Sequence, residues 1–190
     1  MDRPLVEHKN FEKTDFTAAA LPPGEYEDCG FTQCNFSETA LSGIYFSECR
    51  FAGCNLSMVQ LKETAFRDCV FIDCKLLGLH WEDCNQFGLS FHFEGCILDL
   101  CSFFKLKLKA ISFKDCSLQE ADLREADLSK AVFDRCNLQG AMFDHTNLEG
   151  ADLRTAEHYT IDPAQNKIKK ARFSMPGVIR LLDKYQLDIS

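Results

Sequence analysis

The stretch FRDCVFIDC, residues 66 to 74, sets two cysteines five positions apart in a 190-residue chain that carries eleven of them. Cysteines in that number serve metal ligation, disulfide bridging, redox or nucleophilic catalysis, or packing. Zinc sites draw on closely spaced pairs, typically C-x2-4-C with matching partners, and no two cysteines here are nearer than five apart. Disulfide scaffolds belong to short exported chains, and the start MDRPLVEHKN has no apolar signal core. The five histidines, His8, His80, His92, His145 and His158, fall at unrelated phases. No Ser/His/Asp order, glycine-rich phosphate loop or carboxylate pair in a pocket is legible. No catalysis, metal or cofactor is therefore expected.

All eleven cysteines obey one rule of position. Every fifth residue from Phe11 to Trp81 is large and apolar, fifteen of fifteen, and the pattern resumes two residues out of phase at Phe93 and runs through Leu153, thirteen more without a miss. Ten of the cysteines lie two places before such a central position, and Cys84 lies two before Gln86, in the phase of the first run; Ala121, Ala126, Ala131, Thr14, Thr39 and Thr146 fill the same slot elsewhere. Cysteine in that company reads as a small apolar filler, since a buried free thiol packs as a small hydrophobe and is poorly reactive.

A period of five fits neither a helix nor a strand. It fits a chain that turns a corner every five residues, with the central and slot residues pointing inward. Four sides close a 20-residue square coil, and the cysteines show that spacing in three series: Cys29, Cys49, Cys69; Cys34, Cys54, Cys74; and Cys96, Cys116, Cys136. Coils stacked at the β spacing of about 4.8 Å make a rod of about seven coils, roughly 34 Å long.

The run ADLREADLSKAVFDRCNLQGAMFDHTNLEGADLR, residues 121 to 154, resembles the pentapeptide-repeat family, whose repeat reads A(D/N)LXX. The resemblance covers roughly residues 9 to 157 and implies an all-β, right-handed quadrilateral parallel β-helix. The first half departs toward cysteine and phenylalanine, as in CGFTQCNF, which changes the filling of the core and not its geometry.

Residues 1–8 read as a leader, 9–157 as the β-helix and 158–190 as a final partial coil followed by a short C-terminal helix. A break at 82–92 holds two residues beyond a whole number of repeats and sets Gln86 at a central position. It reads either as a bulge that the coil absorbs or as a recognition loop. Around it Ile72, Leu77, Phe87, Ile97, Leu100 and Phe104 occupy outward positions, a set that either covers the irregularity or forms a contact patch. The segment SMPGVIRLLDKYQLDIS reads as a helix capped near Ser174, with Val178, Leu181, Leu182 and Tyr185 on one stripe. That stripe either caps the open end of the solenoid within the chain or, as the resemblance implies, forms a homodimer through the C-terminal ends.

The chain is acidic, net −8, so direct nucleic-acid binding is not expected, and no apolar run is long enough for a membrane span. The expected location is the cytoplasm. Asp28, Glu48 and Asp68 recur at the 20-residue spacing and should form a vertical acidic ladder. Like charges so placed cost a few tenths of a kcal/mol each. Such a ladder serves either solubility or binding. Family members that confer quinolone resistance or microcin immunity are similar in plan, which implies a DNA mimic whose partner is a type II topoisomerase, DNA gyrase or topoisomerase IV. The alternative is an interaction scaffold with a different protein partner.

Overall fold

The computed structural model describes residues 3–188. The chain winds into a four-sided parallel solenoid. Its first side carries β1 (Leu5–Glu7), β3 (Glu25–Glu27), β5 (Tyr45–Ser47) and β7 (Ala65–Arg67), paired in that order. The second side is a nine-stranded parallel sheet that begins with β2 (Asn10–Glu12), β4 (Gly30–Thr32), β6 (Arg50–Ala52) and β8 (Cys69–Ile72). It continues with β9 (Phe91–Glu94), β10 (Ser112–Lys114), β11 (Val132–Asp134), β12 (Asp152–Leu153) and β13 (Arg172–Phe173). Nine rungs make eight turns, one more than the count of seven, because the coil starts at Val6 and the expected final partial coil adds the rung of Phe173. Residues 5–7, assigned to a leader, are β1, in register with β3 through Val6 opposite Tyr26. The third and fourth sides are held by single bridges such as Asn35 to Asn55 and Ser102 to Asp122.

The local chemistry explains the repeat. Two residues past most central positions the chain turns the corner in the left-handed region, as at Asp28 (φ 48°), Glu120 (φ 55°) and Lys130 (φ 60°). Glycine takes this position without penalty at Gly43 and Gly140. The Asn or Asp before many central residues fixes the corner: the Oδ1 of Asn55, Asp127 and Asn147 accepts from the backbone N–H two residues on, at 3.0–3.1 Å. The backbone bonds run between coils, as in Leu56 N–H to the Lys75 carbonyl at 2.7 Å.

Central aromatics stack along the second side. Phe31, Phe51 and Phe71 lie 4.8 Å apart ring to ring, and Phe93, Phe113 and Phe133 continue the series at 5.2–5.5 Å. All eleven cysteines are buried and free. Where the slot holds a polar side chain, that side chain usually also donates. The Cys54 thiol donates to the Phe31 carbonyl one coil back at 3.2 Å, and the Thr64 hydroxyl donates to the Leu41 carbonyl at 2.9 Å. Cysteine and threonine interchange because both fit and both donate. The slot is not always small, however: Ile44, Val59, Leu79, Leu106 and Ile111 also occupy it, all buried.

The two extra residues are absorbed on the first side between Asn85 and Ser90. Asn85 still donates to the Thr64 carbonyl, and Ser90 donates to the Phe66 carbonyl at 3.0 Å. Gln86 is exposed and does not enter the core; Leu89 packs against it instead, and Phe91 is buried beside Trp81, 4.8 Å ring to ring. The bulge is short and adds no projecting loop.

The helix is shorter than its stripe demanded. Helix α1 spans Met175–Arg180, with the Ser174 hydroxyl accepting from Gly177 N–H at 3.1 Å. Leu181 and Leu182 follow it, and residues 183–185 form a 3-10 turn. Leu181 is buried and Leu182 half-buried, while Val178 and Tyr185 are exposed, so the four residues do not share one covered face.

Candidate functional site

Asp28, Glu48 and Asp68 stand on three consecutive rungs at the corner after the first side, all exposed and all with left-handed backbone (φ 48°, 55° and 50°). The corner turn aims each carboxylate outward, and the coil repeat stacks them at about 4.8 Å. The column has polar ends. His8 Nδ1 lies 2.8 Å from Asp28 Oδ2 on the rung before, and the Ser90 hydroxyl donates to Asp68 Oδ1 at 2.7 Å on the rung after. Between them Glu48 has no side-chain hydrogen bond or ion pair among the described residues. Glu25 and Glu27 are exposed beside Asp28 on the same side.

Next to the ladder a cationic and aromatic stack runs up the first side. The Arg3 guanidinium lies 3.8 Å from the centre of the Tyr45 ring, and Arg67 sits between Tyr45 and Phe87 at 5.6 and 5.7 Å. Phe87, on the bulge, is 80% exposed.

The six apolar residues expected near the break do not form one patch. Phe87 is on the first side and Ile72 on the second. Leu77, Ile97 and Leu100 share the third side and its far corner. Phe104 is on the fourth side, partly covered by Lys105 and Arg124 at 4.7 and 5.8 Å from its ring. The third-side group gains a member that sequence reading missed. Met58, 57% exposed, precedes Gly78 and Leu100 in one corner column. The signal was available in the repeat phase, since Met58 lies two places past the central Leu56 as Leu100 does past Leu98.

The thiols offer no reactive group. Burial pushes Cys69 and Cys101 up to about 12 and raises Cys84 beside the bulge further. Hydrogen bonds from Cys54 and Cys96 favour charge at Cys74, while their counterparts and burial disfavour it at Cys54 and Cys96. A row that ionises only by placing charge in an apolar core keeps its protons at neutral pH. Among the described residues no group of three or more His, Cys, Asp or Glu is arranged to hold a metal ion, and no helix is long and apolar enough to cross a membrane.

Two family models match the chain. One, described as a pentapeptide repeat region, covers residues 25–92, and another, described as pentapeptide repeats (8 copies), covers residues 116–154. Among solved structures the chain is similar to QnrB1, a plasmid-mediated fluoroquinolone resistance protein, with a TM-score of 0.51 and 18% identity over 98% of this chain and 97% of that one. It is equally similar to HetL, a pentapeptide repeat protein involved in heterocyst differentiation regulation from the cyanobacterium Nostoc sp. strain PCC 7120, with a TM-score of 0.51 and 17% identity over 92% and 88% of the two chains. A search of curated proteins finds no match. At these identities the likeness is one of fold, and the two relatives show that this fold serves unrelated processes.

Proposed function

We propose that this chain, which belongs to the pentapeptide-repeat family, acts without catalysis by binding another protein, and that its partner is a type II topoisomerase, DNA gyrase or topoisomerase IV, engaged in place of DNA. The observation that carries the reading is the exposed column of Asp28, Glu48 and Asp68 with Glu25 and Glu27 beside it. Aligned carboxylates at a fixed rise present the kind of charge that a DNA-binding groove accepts. Residues 21–157 hold 22 acidic and 12 basic residues, net −10. Over roughly 34 Å of rod that is one net charge per about 3.4 Å, half the line charge of duplex DNA at one per about 1.7 Å. Mimicry therefore rests on the local column and not on the whole rod. A free-thiol core suits a reducing compartment, so the site of action is the cytoplasm.

A second reading has its own observation. Met58, Leu77, Ile97 and Leu100 are exposed together on the third side and its corner, which supports an apolar contact with a protein that is not a topoisomerase. The exposed Met175, Val178 and Ile179 support an end-to-end second copy in the same way.

The test is a gyrase supercoiling assay with the protein titrated in, with and without a fluoroquinolone, at two salt concentrations. Inhibition or drug protection that weakens with salt, and that is lost on replacing Asp28, Glu48 and Asp68 with alanine, is the expected result. No effect at tens of micromolar protein, or an effect that the triple replacement leaves intact, refutes the ladder as the topoisomerase contact.

A further inference from the structure

At several places on the rod, charges of opposite sign sit on consecutive rungs and pair. On the second side Lys114 bonds Glu94 at 2.6 Å and Arg135 bonds Asp115 at 2.6 Å, each pair 20 residues apart; on the fourth, Lys105 lies 3.4 Å from Glu125. The first side pairs in this way only at its start, where Arg3 lies 3.9 Å from Glu25 and His8 2.8 Å from Asp28. Its four rungs before the bulge, centred on Val6, Tyr26, Phe46 and Phe66, expose Glu7, Glu25, Glu27, Asp28, Glu48 and Asp68. Against these six stands Arg67, net −5. Its four rungs after the bulge, centred on Leu108, Leu128, Leu148 and Ile168, expose Lys107, Lys109, Lys130, Lys167, Lys169 and Lys170. Against these six stand Asp127 and Glu149, net +4. Among the described residues none of the six lysines forms an ion pair within the chain.

We propose that the first side is a self-complementary docking surface, through which two copies of this chain pair antiparallel, the acidic half of each on the basic half of the other. The arrangement has the symmetry that a two-fold contact requires. Four rungs lie on each side of the bulge, so an axis crossing the side at the bulge sets the Val6 rung opposite the Ile168 rung and the Phe66 rung opposite the Leu108 rung. The two halves carry opposite net charge, −5 and +4, so reversal of direction sets an acidic half as a whole on a basic half, although rung by rung the match is uneven: the Tyr26 rung faces the Leu148 rung with its Glu149. A parallel arrangement would instead bring like halves together. Phe87, exposed on the bulge, then lies next to the axis and meets its own counterpart, an aromatic centre in a charged surround. A side one short strand wide and about 40 Å long gives an interface in the small, transient class, and its charged character makes it sensitive to salt.

Sedimentation velocity on the full chain at about 50 mM and about 500 mM salt tests this, with two charge-reversed variants. The variant Lys109→Glu/Lys130→Glu/Lys169→Glu carries an acidic first side throughout, and Glu27→Lys/Asp28→Lys/Glu48→Lys a basic one. All six positions are exposed, and circular dichroism confirms that each variant is folded. The expected result is a concentration-dependent dimer of the unaltered chain at low salt, at least tenfold weaker at high salt. Each variant alone is monomeric, and an equimolar mixture of the two forms a heterodimer. A dimer that survives high salt and both reversals overturns the proposal and places self-association at the C-terminal end. An unaltered chain that stays monomeric at low salt while its lysine half binds a short duplex or heparin overturns it in favour of a polyanionic partner. Topoisomerase inhibition does not enter the readout, so this inference stands or falls separately from the proposed function.

Discussion

Cys74 and Cys96 are 22 residues apart in the chain and one rung apart in the same buried column. Each thiol donates to the carbonyl one coil back, Cys74 to Phe51 at 3.5 Å and Cys96 to Phe71 at 3.4 Å. The bulge on the first side takes up the two extra residues before the chain reaches the third side again. The second and third cysteine series of the sequence are therefore a single column of six, Cys34, Cys54, Cys74, Cys96, Cys116 and Cys136, beside a column of three, Cys29, Cys49 and Cys69.

The buried thiols make stability fall at alkaline pH. Cys69 and Cys101 ionise near 9.0 in an unfolded chain and near 12 in the coil, chiefly because burial opposes the thiolate. Below pH 9 both states hold the proton and the full contribution is present; between 9 and 12 the unfolded state sheds protons that the coil retains, and stability drops. The loss is on the order of a few kcal/mol per thiol. The urea midpoint should be flat from neutrality to about pH 9 and fall steeply above it, and the slope should be shallower in Cys69→Ala or Cys101→Ala. An equal slope in these variants would show that other groups govern alkaline unfolding.

Phe51 is fully buried with rings stacked at 4.8 Å above and below. Phe51→Ala should cost about 3–5 kcal/mol, read from the urea midpoint. Because each coil touches only its neighbours, hydrogen exchange should quicken most on the rungs of Phe31, Phe51 and Phe71 and little near Phe133. Uniform loosening along the rod would contradict that one-dimensional picture.

The bulge is an adaptation to Gln86. In an unbroken repeat Gln86 would be a central residue, and its amide would need partners in an apolar core. Two added residues let the chain pass it outside and bring in Leu89. Removing Phe87 and Gly88 restores the register but buries Gln86, and should destabilise by about 1–3 kcal/mol. The same deletion with Gln86→Leu should recover that loss or better. If the deletion alone raises the melting temperature, the bulge does not owe its existence to Gln86.

The fold was legible because a pentapeptide repeat writes its geometry locally: one inward residue per side, one small donor two places earlier, one corner formed by Asn or Asp. Val6 carries the same phase as Phe11, yet a single residue near the start did not separate a first coil from a leader. What stayed hidden lies between coils. A jump of 22 reads along the chain as a reset of phase, so the union of Cys74 with Cys96 and the split of Ile72, Phe87 and Phe104 onto different sides could not be seen. The lysines after the bulge were hidden because they hold different positions within their repeats. Lys109, Lys130 and Lys169 are neighbours only once the coil is wound, and the net charge of the chain masks their concentration on one side.

The C-terminal helix is held by an approach that tolerates no side chain at one position. Gly177 is buried, and a methyl group there would occupy the place of the Tyr159 hydroxyl. Tyr159 is itself fixed, 3% exposed with its ring 5.8 Å from Phe173 on the last rung. Gly177→Ala should therefore lift α1 from the end of the rod at a cost of about 1–3 kcal/mol. The measurement is trypsin cleavage after Arg180 and Lys184 together with hydrogen exchange of residues 175–188. Both should quicken several-fold, while the urea midpoint of the eight coils moves little. Adding Tyr159→Phe removes the colliding oxygen and should restore much of the protection. If Gly177→Ala leaves cleavage unchanged, the helix is held by Leu181 and not by this contact.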